Sequence, residues 1–534
     1  MATNPRRFSL ILLMACAGVA AAIGYTNPEQ IAQGADYNVD DDFRPRPPGG
    51  EFYSTASRAQ EEIAPDPFVD DPSAGEERVR SSADAPVAPS PGVYHDDHAV
   101  PYDCEECVSS RSNRRRQRPS CDAACDSVCN EPNCSQPRCD RPCLRCQYGD
   151  LDCCQEETWR LFQHWNRCDW EAHGWVSQGI TTSDEGPASN FNGVVSFNDR
   201  EEEYQLNQAY VTFAKNAVTD GCGWAIGGRV DFMYGSDARF TEARGLEKRR
   251  DLSPHWNGQR FYGIALPQAY AEVALNNLSV KFGHFYTIVG YEVVTSPDNF
   301  FYSHAYTMQY GEPFTHTGML ATYDVTENLK FMGGVDRGWD NWEDDDYDRI
   351  STLAGVSWQS DNGWAIGFSG TAGQEPTSDG LRNDDRTFYS AVISKQINER
   401  WSVVTQHDRG FQDRGVSATQ DAEWYGVAQY IYYKVNCCLT AGVRMEWFRD
   451  DDGTRVAAVG DRLTPNSNPT SGGGFTGDFF GLTAGLNWSP NGNLIVRPEL
   501  RFDWFEPDAN SNLPFDDGNS DDLVTGAVDV ILLF

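Results

Sequence analysis

Apolar and polar residues alternate with a period of two over long parts of the chain after residue 170. Between Leu494 and Trp504, every second position carries an apolar side chain or proline, and four of the five intervening positions are charged. The same alternation returns from Leu439 to Trp447. A period of two residues predicts β-strands whose two faces have different surroundings.

Sixteen such segments can be placed from Trp170 to Phe534, and their connections alternate between long and short. The eight long connections are Ser183–Glu202, Ser236–Gln259, Thr287–Pro313, Asp340–Arg349, Gln374–Asp385, Gly410–Asp421, Arg449–Gly477 and Glu506–Asp522. The seven short ones are Lys215–Gly221, Asn276–Leu278, Val325–Asn328, Asp361–Gly363, Asn398–Glu399, Val435–Asn436 and Ser489–Gly492. Long loops on one rim and tight turns on the other are typical of membrane barrels, although half-solvated soluble sheets alternate too. We therefore predict an all-β fold with a transmembrane barrel of about 16 antiparallel strands over residues 170–534.

Charged residues of the predicted strands indicate which face looks inward. A lipid-facing arginine at the bilayer midplane would cost roughly 2–4 kcal/mol, so such residues are expected on the inner wall. The pore-lining candidates are Arg229, Asp231, Arg239, Arg444, Glu446, Arg497, Glu499, Arg501 and Asp503. A wall of mixed charge could orient polar solutes in a pore. The alternative is a structural network of ion pairs that fills the barrel.

The connection Thr287–Pro313 is long and rich in aromatic residues. Exposed loops seldom carry so much apolar surface. One interpretation is a constriction loop folded into the barrel, which offers Glu292, Asp298 and Glu312 to the pore. The other interpretation is a loop that packs on its neighbours outside the rim.

Composition is compatible with a folded membrane barrel. The 534 residues are 40% hydrophobic and 12% aromatic, and no apolar run after the first thirty residues is long enough for a spanning helix. The mean hydropathy of −0.56 would suit a soluble protein, but barrel strands carry polar residues at every second position. A net charge of −36 argues against nucleic acid as a partner.

The amino-terminal part predicts export. Arg6 and Arg7 precede an apolar stretch with small residues, which is the layout of a secretory signal peptide over residues 1–24. A lipid anchor at Cys16 is the alternative. Residues 25–103 are rich in Pro and acidic residues, so we predict a disordered tether there.

Residues 104–169 form a cysteine-rich block, which we expect to be a small periplasmic module. Disulfides are favoured over zinc, because an exported chain meets an oxidising compartment and the spacings do not fit one tetrahedral site. The disulfide candidates are Cys104, Cys107, Cys121, Cys125, Cys129, Cys134, Cys139, Cys143, Cys146, Cys153, Cys154, Cys168, Cys222, Cys437 and Cys438. Five arginines between residues 111 and 118 could contact anionic envelope polymers or form a solvated loop.

Ordered motifs between Gly174 and Trp342 resemble a known family. They are Gly174-Trp175, Phe197-Asn198-Asp199-Arg200, Tyr204-Gln205-Leu206-Asn207-Gln208, Gly227-Gly228-Arg229-Val230-Asp231, Leu266-Pro267-Gln268-Ala269-Tyr270, Gly283-His284-Phe285-Tyr286, Gly311-Glu312-Pro313-Phe314 and Gly338-Trp339-Asp340-Asn341. Together they resemble the OmpL-like β-barrel porins of planctomycete-type bacteria. The resemblance implies an outer-membrane barrel that passes solutes. It supplies no functional residues and does not extend to the cysteine block.

Catalytic chemistry is not indicated. No nucleophile motif, phosphate loop or zinc-protease helix occurs, so we expect no enzyme activity and no cofactor. His284, His304 and His316 lack clear ligand spacing, and no metal site is predicted. Acidic clusters in the long connections either solvate the loops or attract cations to the pore mouth.

The leading hypothesis is an outer-membrane porin of a Gram-negative-type bacterium, through which small hydrophilic solutes or ions diffuse passively. The alternative is a non-conducting barrel that anchors the membrane to the periplasmic layer through the cysteine-rich module. The third hypothesis is a secreted enzyme on a β scaffold, which the lack of any catalytic motif disfavours. Expected partners are outer-membrane lipids, small polar solutes or ions, cell-wall polymers and further copies of the chain.

Overall fold

The computed structural model describes residues 159–162, 170–219, 221, 223–249, 255–257, 261–343, 350–377, 383–457, 474–509 and 511–534. The predicted signal peptide and tether lie outside the described residues, as does the cysteine-rich module except for 159–162. Among the described residues, no helix is both long enough and apolar enough to cross a membrane.

Sixteen antiparallel strands form a closed barrel, in which sequence neighbours pair and the first strand pairs with the last. The strands are β1 (Trp170–Ser183), β2 (Tyr204–Lys215), β3 (Trp224–Gly235), β4 (Gly263–Leu275), β5 (Leu278–Tyr286), β6 (Thr315–Thr326), β7 (Leu329–Asp336), β8 (Ser351–Gln359), β9 (Trp364–Pro376), β10 (Asn383–Gln396), β11 (Trp401–Ser417), β12 (Gln420–Asn436), β13 (Leu439–Asp450), β14 (Gly477–Asn491), β15 (Leu494–Pro507) and β16 (Asp522–Leu533). The predicted fold and strand number are confirmed.

Alternation sorts the side chains of each strand onto two faces. The outer face is apolar and exposed, as at Trp224, Phe282 and Leu500, which is the surface that a lipid environment requires. The inner face carries the polar residues, and Arg497 and Arg501 of β15 are buried there.

The long connections lie together on one rim, and the short turns lie on the other. Both ends of the barrel meet at the short-turn rim, where the backbone N–H of Gly174 donates to the carbonyl of Phe534 (2.8 Å). Closing the sheet in this way leaves no unpaired edge strand.

One predicted long connection, Gly410–Asp421, is wrong. β11 and β12 continue through it as a paired hairpin, with Gly410 opposite Trp424 and Ser417 opposite Gln420. Only residues 418 and 419 separate the two strands. The segment is polar on both faces because it extends beyond the apolar band, and polarity alone does not distinguish a solvated hairpin from a loop.

The barrel is filled rather than hollow at the level of its longest inward segment. A large apolar cluster joins inner-face aromatic residues of the strands, such as Phe388, Trp424 and Phe479, to Tyr306 and Tyr310 of the β5–β6 connection. Short helical turns occur only in connections among the described residues: α1 (Ala238–Thr241), 3-10 turns at Ser296–Asp298 and Asp516–Gly518, and a π turn at Thr307–Gly311.

Candidate functional site: the loop inside the barrel

The connection between β5 and β6, residues 287–314, folds into the barrel; we call it the inner loop. Phe301, Tyr302, Tyr306 and Tyr310 of this loop are each at most 3% exposed. Burying a large apolar side chain contributes roughly 1.5–3 kcal/mol, so the aromatic content of the loop drives it inward. Of the two predicted placements, the structure shows the inward one.

Glu292 lies at the centre of the contacts between the inner loop and the wall. Its carboxylate accepts from Arg444 Nη1 (2.9 Å) and Tyr430 Oη (2.9 Å) on the wall, and from the backbone N–H of Ala305 (2.8 Å). His304 Nδ1 lies 3.1 Å from it. Burial alone would raise the pKa of Glu292, but the charge of Arg444 and the His304 contact lower that pKa to about 2.

Three wall arginines bind the backbone of the inner loop. Arg444 Nη1 donates to the carbonyl of Ser303 (2.7 Å), and Arg501 Nη1 donates to the carbonyl of His304 (2.6 Å). Arg497 Nη1 donates to the carbonyl of Asn299 (2.6 Å). A loop inside a barrel cannot satisfy its carbonyls through strand pairing, so these arginines supply the missing donors.

Wall carboxylates complete the arrangement by accepting from the loop. Glu499 accepts from the backbone N–H of Tyr302 (2.9 Å), and Glu446 accepts from that of Tyr306 (2.6 Å). Asp503 accepts from the hydroxyl of Tyr306 (2.7 Å). Six predicted pore-lining residues therefore lie buried beneath the loop and hold it in place: Arg444, Glu446, Arg497, Glu499, Arg501 and Asp503.

The other three candidates lie elsewhere. Arg229 and Asp231 occupy the inner face of β3, joined by a 2.8 Å bond from Arg229 Nε. Arg239 is not a strand residue: it belongs to α1 in the β3–β4 connection and pairs with Asp199 (2.8 Å). The alternating pattern could not identify that helical turn.

A small cavity of about 20 Å³ remains between the inner loop and the β3–β5 side of the wall. The wall contributes Arg229, Gln268 and Tyr286. The loop contributes all three constriction candidates, Glu292, Asp298 and Glu312. This cavity brings a basic and amide wall opposite an acidic loop.

Glu312 has an unusual environment within this cavity. The side-chain amide of Gln406 donates to both Glu312 Oε1 (2.5 Å) and Asp408 Oδ2 (2.6 Å), so two carboxyl groups face one donor. Burial and the charge of Asp408 raise the pKa of Glu312 well above its ordinary value. The two carboxyl groups are therefore expected to share a proton.

Sequence reasoning missed a second cluster inside the barrel, formed by Trp339, Arg386, Trp424 and Arg455. Arg386 and Trp424 lie on inner faces of β10 and β12, whereas Trp339 and Arg455 come from two different connections. The parity of Arg386 and Trp424 within their strands was the only available signal. The connections that carry Trp339 and Arg455 offered no signal in the sequence.

The three histidines considered as metal ligands contact hydroxyl or carboxylate groups of the protein. His284, His304 and His316 contact Thr317, Glu292 and Thr287 respectively, and no cluster of metal ligands occurs among the described residues. Cys437 and Cys438 lie in the β12–β13 turn at the short-turn rim, with their Sγ atoms 3.7 Å apart. The remaining disulfide candidates lie outside the described residues.

A closed sixteen-strand barrel with an apolar outer surface, a charged inner wall and a loop folded inside is a porin-like outer-membrane β-barrel. Residues 170–534, which are more than half of the chain, match the family described as "Putative beta-barrel porin-2, OmpL-like". The chain belongs to this family. Among curated proteins, none matches the sequence significantly.

Several solved structures are similar to this chain at low sequence identity. OmpT of Vibrio cholerae is 11% identical, with 68% of this chain and 97% of that chain covered and a TM-score of 0.42. The outer membrane channel DcaP of Acinetobacter baumannii is 11% identical. The match covers 68% of this chain and 97% of that chain, with a TM-score of 0.43. A mutant of Rh. blastica porin is 13% identical. The match covers 68% of this chain and 100% of that chain, with a TM-score of 0.40. Likeness at this level says nothing about the solute.

Proposed function

We propose that the protein is a porin, through which small hydrophilic solutes or ions diffuse passively along a narrow route between the inner loop and the β3–β5 wall. The observation that carries the proposal is the cavity lined by Arg229 and Gln268 on the wall and by Asp298 and Glu312 on the loop. A polar lining favours polar solutes, and opposed charges orient their dipoles.

The inner loop would set the size limit of this route. Its backbone is bound by Arg444, Arg497 and Arg501, so it is anchored along its length and does not hang freely in the lumen. An anchored loop gives a fixed opening, and solute size then determines the rate of passage. The barrel would lie in the outer membrane with its long connections outside and its short turns in the periplasm, on the same side as the amino-terminal module.

Liposome swelling tests this proposal. The full-length protein is reconstituted into liposomes, and swelling is followed in isotonic arabinose, glucose and raffinose. We expect swelling rates that fall steeply with sugar size. Equal swelling in raffinose and arabinose would remove the size-limiting role of the loop. No swelling in any sugar, together with no ion current across a planar bilayer, would remove the porin function.

The second candidate is a non-conducting barrel that anchors the membrane to the periplasmic layer. It is favoured by one contact: the side chain of Asn493, in the β14–β15 turn, accepts from the backbone N–H of Trp159 (2.8 Å) and donates to its carbonyl (2.7 Å). This contact ties the chain that precedes β1 to the short-turn rim. Insertion into membranes with neither sugar permeability nor ion current would support the anchor over the porin.

A further inference from the structure

Inner arginines of this barrel fall into two groups according to their partners. Five of them pair with carboxylates within 3.0 Å: Arg229 with Asp231, Arg239 with Asp199, Arg444 with Glu292, Arg497 with Asp529, and Arg501 with Asp503. Arg386 and Arg455 form no ion pair within the described part of the chain. An arginine on the inner side that forms no direct ion pair with a carboxylate is available to a solute.

These two arginines stack on a pair of tryptophans. The guanidinium carbon of Arg386 lies 4.8 Å from the ring centre of Trp339, and that of Arg455 lies 4.8 Å from Trp424 and 5.3 Å from Trp339. The two indole rings meet edge to face, with centroids 6.2 Å apart. Stacking holds guanidinium groups in fixed planes while leaving their edges open to hydrogen bonding.

Hydrogen bonds within the protein use only part of each guanidinium group. Arg386 donates from Nε and Nη2 to Gln412 Oε1 (3.1 and 2.7 Å), and from Nη2 to the carbonyl of Pro376 (3.4 Å). Arg455 donates from Nε to the carbonyl of Tyr310 (2.7 Å). Arg386 Nη1 and both Nη atoms of Arg455 have no protein acceptor among the described residues, and both side chains remain partly exposed.

Carboxylates near the pair are engaged by backbone amides. Glu375 accepts from the backbone N–H of Trp339 (2.8 Å), and Asp340 accepts from those of Phe314 (3.0 Å) and Thr315 (2.9 Å). Burial and the neighbouring charge of Arg386 lower the pKa of Arg455 to about 9. Asp450, Asp340 and Glu375 attract Arg455 electrostatically, but within the described part of the chain none of them forms a direct ion pair with it.

We propose that Arg386 and Arg455, supported by Trp339 and Trp424, form a binding site for the carboxylate or phosphate group of a small anion. The open guanidinium edges match the two oxygens of such a group, and the indole faces accept an apolar part of the same solute. The site deepens the proposed porin function, on which it rests, by naming oxyanions as a preferred solute class. It lies beside the inner loop, because Trp424 Nε1 donates to the carbonyl of Gly311 (3.0 Å).

Binding is measured on the full-length protein in detergent by isothermal titration calorimetry, with succinate, inorganic phosphate and neutral arabinose as probes. We expect binding of succinate and no binding of arabinose. Saturable binding of phosphate as well would assign the site to oxyanions generally, and succinate binding alone would assign it to carboxylates. Absence of binding by both anions would overturn the proposal.

Variants locate the site. Arg386→Gln and Arg455→Gln should each weaken succinate binding by about tenfold or more, since each removes a positive charge and its charge-assisted hydrogen bonding to the anion. The matched control is Arg409→Gln on the outer face of β11, where Arg409 pairs with Glu423 (2.6 Å). Equal weakening in all three variants, or in none, would contradict the assignment.

Two further comparisons separate the charge of the arginines from their planar geometry, and the binding site from the porin function. Arg386→Lys and Arg455→Lys keep the charge but lose the planar fork, and we expect succinate affinity between those of the wild type and the glutamine variants. If the lysine variants bind succinate as weakly as the glutamine variants, the planar guanidinium group still contacts the anion. Wild-type affinity in both lysine variants would exclude a role for the guanidinium group. Because calorimetry needs no conductance, a barrel that binds succinate yet passes no solute would refute the porin and retain the site.

Discussion

Arg444 and Glu292 join the barrel wall to the loop inside it, with 2.9 Å between Nη1 and Oε1. Both side chains are at most 5% exposed. Arg444 belongs to β13 and Glu292 lies far earlier in the chain, so the contact forms only when the barrel has closed. Removing one partner of a buried pair leaves an uncompensated charge.

Replacing Arg444 with Gln should loosen the inner loop. The cost of an unpaired buried carboxylate is roughly 3–5 kcal/mol, so we expect a clear loss of stability and a larger, noisier single-channel conductance. Urea titration and planar-bilayer recording measure the two effects. Glu423→Gln is the control, because its partner Arg409 is 54% exposed and such surface pairs contribute only about 0–1 kcal/mol. Identical conductance in wild type and Arg444→Gln would mean that this contact does not position the loop.

Glu312 gives the loop a pH dependence of known sign. Its pKa is raised by burial and by Asp408, so the stability that its neutral form contributes is present below the ordinary pKa of 4.5. That contribution is lost as the pH rises through the raised value. We expect wild-type channel noise to increase with rising pH, and Glu312→Gln, which stays neutral, to lack this increase. A noise profile shared by both proteins would remove Glu312 as the titrating group.

Topology predicts which connections reach the outside of the cell. The same protease site is inserted either in the connection 451–476 or in the short turn at residues 360–363, and protease is added to intact cells. Cleavage should occur at 451–476 and not at 360–363, because long connections face outward. Cleavage at the short turn alone would invert the orientation.

The cysteine-rich block is predicted to be clamped beneath the barrel. Ser489 N–H donates to the carbonyl of Cys438 (2.8 Å), so the turn with Cys437 and Cys438 adjoins the β14–β15 hairpin whose Asn493 binds Trp159. Thiols in one oxidising space pair when their Cα atoms come within about 7 Å. After cleavage between the block and Trp175, the two fragments should stay together on a gel until reductant is added.

The control for the clamp is the Cys437→Ser, Cys438→Ser double variant, whose fragments should separate without reductant. Separation of the wild-type fragments without reductant would mean that the module pairs only within itself.

Alternation predicted the barrel and its inner face well, because the period of two is a local property of each strand. Arg497 and Arg501 were assigned inward from the sequence of β15 alone, and both are buried there. Their role was harder to predict, since their partners are carbonyls of Asn299 and His304 in a distant loop. Long-range contacts of this kind have no signature in the sequence spacing.

The Trp339–Arg455 contact shows the same limit more strongly. Neither residue lies in a strand, and their 5.3 Å approach depends on two connections folding back into the barrel. Such segments have no hydrophobic periodicity from which a contact could be predicted, and single aromatic or charged loop residues are common on any surface. The constriction loop was predictable because its aromatic content was concentrated in one segment.

Single-channel recording of the purified full-length protein in a planar bilayer tests the central claim, which is passage of small solutes along the inner loop. We expect stepwise current increments that rise with salt concentration. We also expect Arg444→Gln to enlarge each step. Stable insertion of the barrel with no steps at any salt concentration would contradict the porin and support the anchor.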